Sequence, residues 1–239
     1  GMDAHGGNVD IVRSQRSTGS ILKPLLYAAM QESGEILPNT LVADIPSRFP
    51  GFTPENFDKS YSGAVPAGEA LSQSLNIPAV GMLRTYTTER FLSLLAETGF
   101  TTFRKPESHY GLSLILGGGE TTLWELTGAY ASLSRVLSRY NSEKRYIKED
   151  YHPPVLTPEE KEDEEYSSDP FPPLSAAAIW LTYEALKKVN RPETQAGWHY
   201  LASAPVLAWK TGTSYGFRDA WAVGTSPGYV LGVWAGNAG

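Results

Sequence analysis

The C-terminal segment constrains the fold of this chain more than any other. Pro205 to Thr213, Asp219 to Thr225 and Tyr229 to Ala235 are short apolar stretches separated by Gly216 and by Ser226-Pro227-Gly228. Short strand-like runs divided by turn residues predict a three-stranded antiparallel meander. What precedes it reads mainly as helix. The stretch Ile21 to Ser33 (ILKPLLYAAMQES) is helix-compatible, with a start at Ser20, a stop at Gly34 and Pro24 tolerable in the first turn. Helical patterns recur at 67–74, 79–86, 88–98, 122–139 and 175–189. Helices followed by an antiparallel sheet imply an α+β layered domain.

Between these elements lie two segments of different character. Residues 35–66 carry Pro38, Pro46, Pro50, Pro54 and Pro66 and read as long ordered loops, of a length that usually wraps a site. Residues 145–173 combine six prolines with an acidic run and read as a mobile insertion in an otherwise single domain spanning 1–239. The net charge of −6 resides in that run, because residues 159–169 hold seven acids and one lysine and the rest of the chain is neutral overall. A neutral body lacks the basic face that nucleic-acid binding requires. No apolar run reaches the ~18 to 20 residues that span a bilayer. The absence of cysteine removes thiol nucleophiles and Cys-ligated zinc, and the four histidines have no metal-ligand spacing, so no metal or cofactor is expected.

Two motifs are set aside on physical grounds. Gly117-Gly118-Gly119 lacks the Lys-Ser/Thr ending of a phosphate loop and reads as a tight turn before a helix. Gly212-Thr213-Ser214-Tyr215-Gly216 matches the nucleophile elbow of an α/β-hydrolase, yet no histidine follows His199 to complete a triad, and a strand rather than a helix follows Ser214.

Three further motifs occur in order: Ser20-Ile21-Leu22-Lys23, Ser74-Leu75-Asn76 and Lys210-Thr211-Gly212. A serine hydroxyl needs an adjacent base to act as a nucleophile, and i, i+3 spacing at a helix start puts Ser20 and Lys23 on one face. Lys23 accepts a proton only when neutral, a state favoured by burial and by a second cation such as Lys210. Asn76 precedes Ile77-Pro78, which predicts an inter-helix turn from which Ser74 and Asn76 both face one cleft. Alternation along the third motif sends Thr211 and Thr213 to one face of a strand, Lys210 and Gly212 to the other. A mid-strand glycine signals close approach of another backbone, which would suit a peptide substrate added alongside the strand.

In this order the three motifs resemble the penicillin-binding protein and serine β-lactamase superfamily. Longer segments (GSILKPLLYAAM, PENFDKSYSGAV, ALSQSLNIPAVGML, HYGLSLILGGGETTLWELTGAYASL and WKTGTSYGFRDAWAVG) resemble the transpeptidase domains of class A penicillin-binding proteins, from about Gly6 to Gly236. The resemblance implies an antiparallel sheet with helices on both faces. It also implies two sheet strands before Ser20, preceded by a glycosyltransferase domain and a membrane anchor; those strands are expected to be truncated here. The Tyr229 to Trp234 strand would then be a free edge, prone to self-association or covered by residues 3–13.

By the same resemblance Ser20 is the nucleophile acylated by the D-Ala-D-Ala end of a peptidoglycan stem peptide and by β-lactam antibiotics, and Lys23 is its base. Ser74 relays a proton to the departing amine, and Asn76 holds the acyl-chain amide. Lys210, Thr211 and Thr213, with Gly212 between them, bind the terminal carboxylate, and the backbone N–H groups of Ser20 and Thr213 form the oxyanion hole. An amine from a neighbouring stem takes the acyl group. The implied function is that of a periplasmic, serine-type DD-transpeptidase, held at the membrane through an anchor outside this sequence. The alternatives are a catalytically silent cell-wall binding or scaffold module of the same fold, or a β-lactamase or DD-carboxypeptidase relative; no Glu-x-x-Leu-Asn segment supplies a deacylating glutamate.

Overall fold

The computed structural model describes residues 9–49, 52–156, 172–189 and 207–237. In chain order the elements are β1 (Arg16–Ser17), α1 (Lys23–Glu32), β2 (Leu41–Asp44), β3 (Gly63–Pro66), α2 (Ala67–Ser72), α3 (Asn76–Tyr86), α4 (Thr88–Glu97), α5 (Glu107–Tyr110), β4 (Glu120–Thr121), α6 (Leu123–Glu143), α7 (Ala176–Leu186), β5 (Ala208–Thr213), β6 (Asp219–Ser226) and β7 (Tyr229–Gly236). The fold is α+β, as expected, and the C-terminal meander is present as a three-stranded antiparallel sheet in the order β5-β6-β7.

The helix α1 is the centre of the core. Every residue from Lys23 to Met30 is buried, so the helix is enclosed on all sides rather than laid on a surface. It begins at Lys23 and not at Ser20. The cause is Pro24, which has no N–H to donate to the Ser20 carbonyl, so Ser20 stays in the turn that leads into the helix. Around α1 pack α2, α3, α4 and α7. The caps are those the sequence supplies: Thr87 accepts from Arg90 N at 3.3 Å, Thr122 from Glu125 N at 3.0 Å and Ser175 from Ala178 N at 3.3 Å.

The sheet lies against α6 and α7. Its inner face presents Trp221, Val223 and Thr225, all buried, while its outer face carries Tyr229, Leu231 and Val233, all exposed. Among the described residues α6 and α7 are the helices packed on its inner face. Among the described residues β7 pairs only with β6. Of residues 3–13, expected as one possible cover for that edge, 3–8 lie outside the described residues and 9–13 form no strand with β7; Val12 O instead accepts from Trp124 N at 3.1 Å at the start of α6.

Two further expectations change. The loop-like region 35–66 contains an antiparallel pair, β2 with β3, in which Asp44 lies opposite Gly63. The beginning of the segment expected to be mobile is packed: Arg135 donates to Asp150 O at 2.9 Å, Arg139 forms an ion pair with the Asp150 carboxylate at 3.0 Å, and Pro154 sits on Gly128 of α6. The acidic run itself, and most of the segment expected to be poorly ordered, lies outside the described residues.

Candidate active site

The site forms where α1, the α2–α3 turn and β5 converge. Lys23 is 2% exposed in the core helix. A lysine there must find partners for its amine, because an unpaired buried amine costs several kcal/mol. Its Nζ donates to Ser74 O at 2.7 Å, Asn76 Oδ1 at 2.7 Å and Leu75 O at 3.1 Å, and lies 3.5 Å from Ser74 Oγ. Lys210, 1% exposed on β5, reaches the same serine from the other side, with Nζ 2.7 Å from Ser74 Oγ and 2.6 Å from Thr211 O. Four motif residues from three distant parts of the chain thus share one hydrogen-bonded cluster.

Backbone geometry at the α2–α3 turn makes this possible. Ser74 has φ +58°, in the left-handed region that a serine rarely adopts. That conformation turns the Ser74 and Leu75 carbonyls toward Lys23. Asn76, expected in a turn, is instead the first residue of α3, and Pro78 sits inside the first turn, where no N–H is required of it. The loop before β3 returns over this helix start: Asn56 Oδ1 accepts from Asn76 N at 2.9 Å, and Glu55 O accepts from Asn76 Nδ2 at 2.7 Å.

Ser20 is half-buried, just upstream of the cluster. Two glycines bring β5 to it. A Cβ on Gly19, which has φ +51°, would lie 2.6 Å from Thr213 O, and a Cβ on Gly212 would lie 2.8 Å from Thr18 O and 3.1 Å from Ile21 N. The backbone that approaches Gly212 is therefore the chain's own Ser20 turn, not an added peptide as the mid-strand glycine suggested. Thr18 N to Gly119 O at 3.0 Å, Trp221 Nε1 to Ser17 O at 2.8 Å and Tyr130 Oη to Ile21 O at 3.2 Å brace the turn further. Thr211 and Thr213 are exposed and Lys210 and Gly212 buried, as strand alternation requires.

Burial shapes the electrostatics. It lowers Lys210 to about 7. Burial, and then the charge of Lys210, push Lys23 well below the ordinary lysine range. Ser214, the serine of the apparent nucleophile elbow, is buried and tied up: its Oγ donates to Asp219 Oδ2 at 2.8 Å and accepts from Asp219 N at 2.9 Å. It is a turn residue of the sheet.

The sequence motifs did not point to Asn56 or Asp44, which is fully buried behind Asn56. The available signal was an asparagine in a proline-rich loop long enough to wrap a site.

Residues 8–228 match the penicillin binding protein transpeptidase domain. Penicillin-binding protein 1C of Escherichia coli is 36% identical over 98% of this chain and 28% of its own length. The penicillin-binding protein PonA1 of Mycobacterium tuberculosis superposes with a TM-score of 0.75 at 22% identity, over 97% of this chain and 63% of that one. The same protein has also been solved in complex with penicillin V, and that structure superposes with a TM-score of 0.73 at 22% identity, over 96% of this chain and 62% of that one. This chain spans little more than a quarter of the Escherichia coli relative. By its family match, its relatives and its fold, the chain belongs to the penicillin-binding protein transpeptidase domain family.

Proposed function

We propose that this domain is a serine acyltransferase that cross-links peptidoglycan stem peptides outside the cytoplasm, takes the D-Ala-D-Ala end as donor, and is acylated by penicillins at Ser20. The observation that carries the reading is the junction of Lys23, Ser74, Asn76 and Lys210 in one hydrogen-bonded cluster beside the Ser20 turn. No helix among the described residues is long and apolar enough to cross a membrane. Attachment to the membrane would come from other parts of the protein.

In the proposed reaction the Ser20 Oγ proton passes to the neutral Lys23 amine as Oγ bonds to the carbonyl carbon of the penultimate D-Ala. Burial favours the amine before transfer, and three oxygen acceptors around Nζ stabilise the ammonium after it. The carbonyl oxygen becomes an oxyanion between the N–H groups of Ser20 and Thr213, each donor worth ~3 to 4 kcal/mol in comparable sites. The peptide C–N bond then breaks, and the departing D-Ala amine takes a proton by way of Ser74 Oγ, which lies between the two lysines. An acceptor amine attacks the acyl-Ser20 ester and returns its proton through the same groups. Lys210, Thr211 and Thr213 hold the donor carboxylate, and Asn76, with one N–H left after Glu55, holds the donor amide.

Intact-mass spectrometry after incubation with a penicillin tests this. The expected result is an adduct of the full penicillin mass on Ser20 that is absent in Ser20→Ala. An adduct on Ser74 or Ser214, or none, overturns the assignment.

A further inference from the structure

Asp44 is a carboxylic acid with zero exposure, and among the described residues no lysine or arginine forms an ion pair with it. Burying such a group is costly unless donors satisfy it. Two do: Asn56 Nδ2 donates to Oδ1 at 2.7 Å and Ser62 N to Oδ2 at 2.8 Å. Asn56, 3% exposed, donates also to Ser60 O at 2.9 Å, so both its N–H groups are used. Its Oδ1 accepts from Asn76 N at 2.9 Å and Ile77 N at 3.4 Å, which caps a helix that has no capping side chain of its own.

The polarity of this chain of bonds has one consistent direction. A carboxylate only accepts, so Asn56 must turn its NH₂ toward Asp44 and its oxygen toward α3. That fixes the first turn of α3 and the loop beside it. Glu55, next to Asn56, then presents its carbonyl to Asn76 Nδ2, which leaves Asn76 Oδ1 facing Lys23 Nζ at 2.7 Å. An inverted Asn76 amide would set its oxygen against Glu55 O, acceptor against acceptor, and take an acceptor away from Lys23 Nζ.

We propose that Asp44 and Asn56 are positioning residues for acyl transfer at Ser20: the buried carboxylate orients Asn56, and Asn56 with Glu55 O holds the Asn76 amide with its oxygen on Lys23. Neither touches substrate. The inference rests on the acyltransferase reading for its kinetic consequence, while its structural consequence is independent of it. A carboxylate is required at position 44 because its two oxygens meet the Asn56 Nδ2 and Ser62 N donors separately, whereas an amide would set its NH₂ against one of them, donor against donor.

The test compares the parent protein with Asn56→Ala, Asp44→Ala and Asp44→Asn, all checked for folding by thermal melting. With a penicillin, the first-order acylation constant is expected to fall about 10- to 100-fold in Asn56→Ala and Asp44→Ala. The concentration for half-maximal rate should change by less than about threefold, the pattern of a lost transition-state contact. Asp44→Asn keeps one oxygen for Asn56 and should recover part of the loss. An acylation constant within about twofold of the parent, or a loss that follows only the unfolded fraction, overturns the proposal. A change in half-saturation alone also overturns it, because the loop would then be a binding element. In ¹⁵N-labelled protein the side-chain amide of Asn76 should exchange slowly with water in the parent and faster in Asn56→Ala. Unchanged exchange overturns the positioning role even if no penicillin reacts, whereas an unreactive parent with altered exchange refutes the acyltransferase reading and leaves the orientation device standing.

Discussion

Lys210 Nζ lies 2.7 Å from Ser74 Oγ across 136 positions of sequence, and both lysines of the site approach that one hydroxyl. Burial of Lys210 in this arrangement has a thermodynamic consequence. Its folded value is about 7 against an ordinary 10.5. Below pH 7 the lysine is protonated in the folded and unfolded chains alike, so the cost of burying its charge is present in full. Between about 7 and 10.5 the unfolded chain holds the proton and the folded chain does not, so stability rises with pH. Lys23 acts in the same direction. Urea unfolding at about pH 7.5 and about pH 9 should show this rise, and Lys210→Met should reduce it by up to ~1.4 kcal/mol per pH unit. Equal slopes in the parent and the variant would refute the assignment.

Removal of the proposed base should have a different signature from removal of a proposed carboxylate ligand. Lys23→Ala is expected to slow acylation by a penicillin about 10²- to 10⁴-fold while non-covalent affinity stays nearly constant. Stopped-flow kinetics over a range of penicillin concentrations separate the two. Weakened binding with a normal acylation constant would make Lys23 a ligand-binding residue.

Thr213→Val tests the other half of the site. The exposed Thr213 hydroxyl is one expected donor to the ligand carboxylate. Its loss, at ~0.5 to 1.5 kcal/mol for a hydrogen bond, should raise the half-saturating penicillin concentration several-fold with little change in the limiting rate.

Gly212→Ala probes the seam between β5 and the Ser20 turn. The added methyl would fall 2.8 Å from Thr18 O and 3.1 Å from Ile21 N, both backbone atoms that cannot rotate away. Strand and turn must separate, at about 1 to 3 kcal/mol for overpacking. The same shift carries the Thr213 N–H away from Ser20, so acylation should fall at least tenfold in molecules that remain folded. Preserved acylation in a fully folded variant would show that the strand approaches more loosely than the geometry requires.

Much of this was legible in the sequence because it depends on local chemistry. Turn residues at Gly216 and Ser226-Pro227-Gly228 cut the C-terminal segment into three strands of a meander, and alternation along β5 separated Lys210 and Gly212 from Thr211 and Thr213. The order of the three motifs carried the family. Tertiary structure decided what no local pattern encodes. Asn76 belongs to a helix rather than a turn because Asn56, distant in sequence, caps that helix from outside. Gly212 is a glycine because the Ser20 turn, not a substrate, presses against it. Asp44 lies in a segment that reads as loop, and only the fold buries it behind Asn56. Hydrogen-bond direction and backbone approach are relations between distant segments, and they exist only once packing has brought those segments within reach.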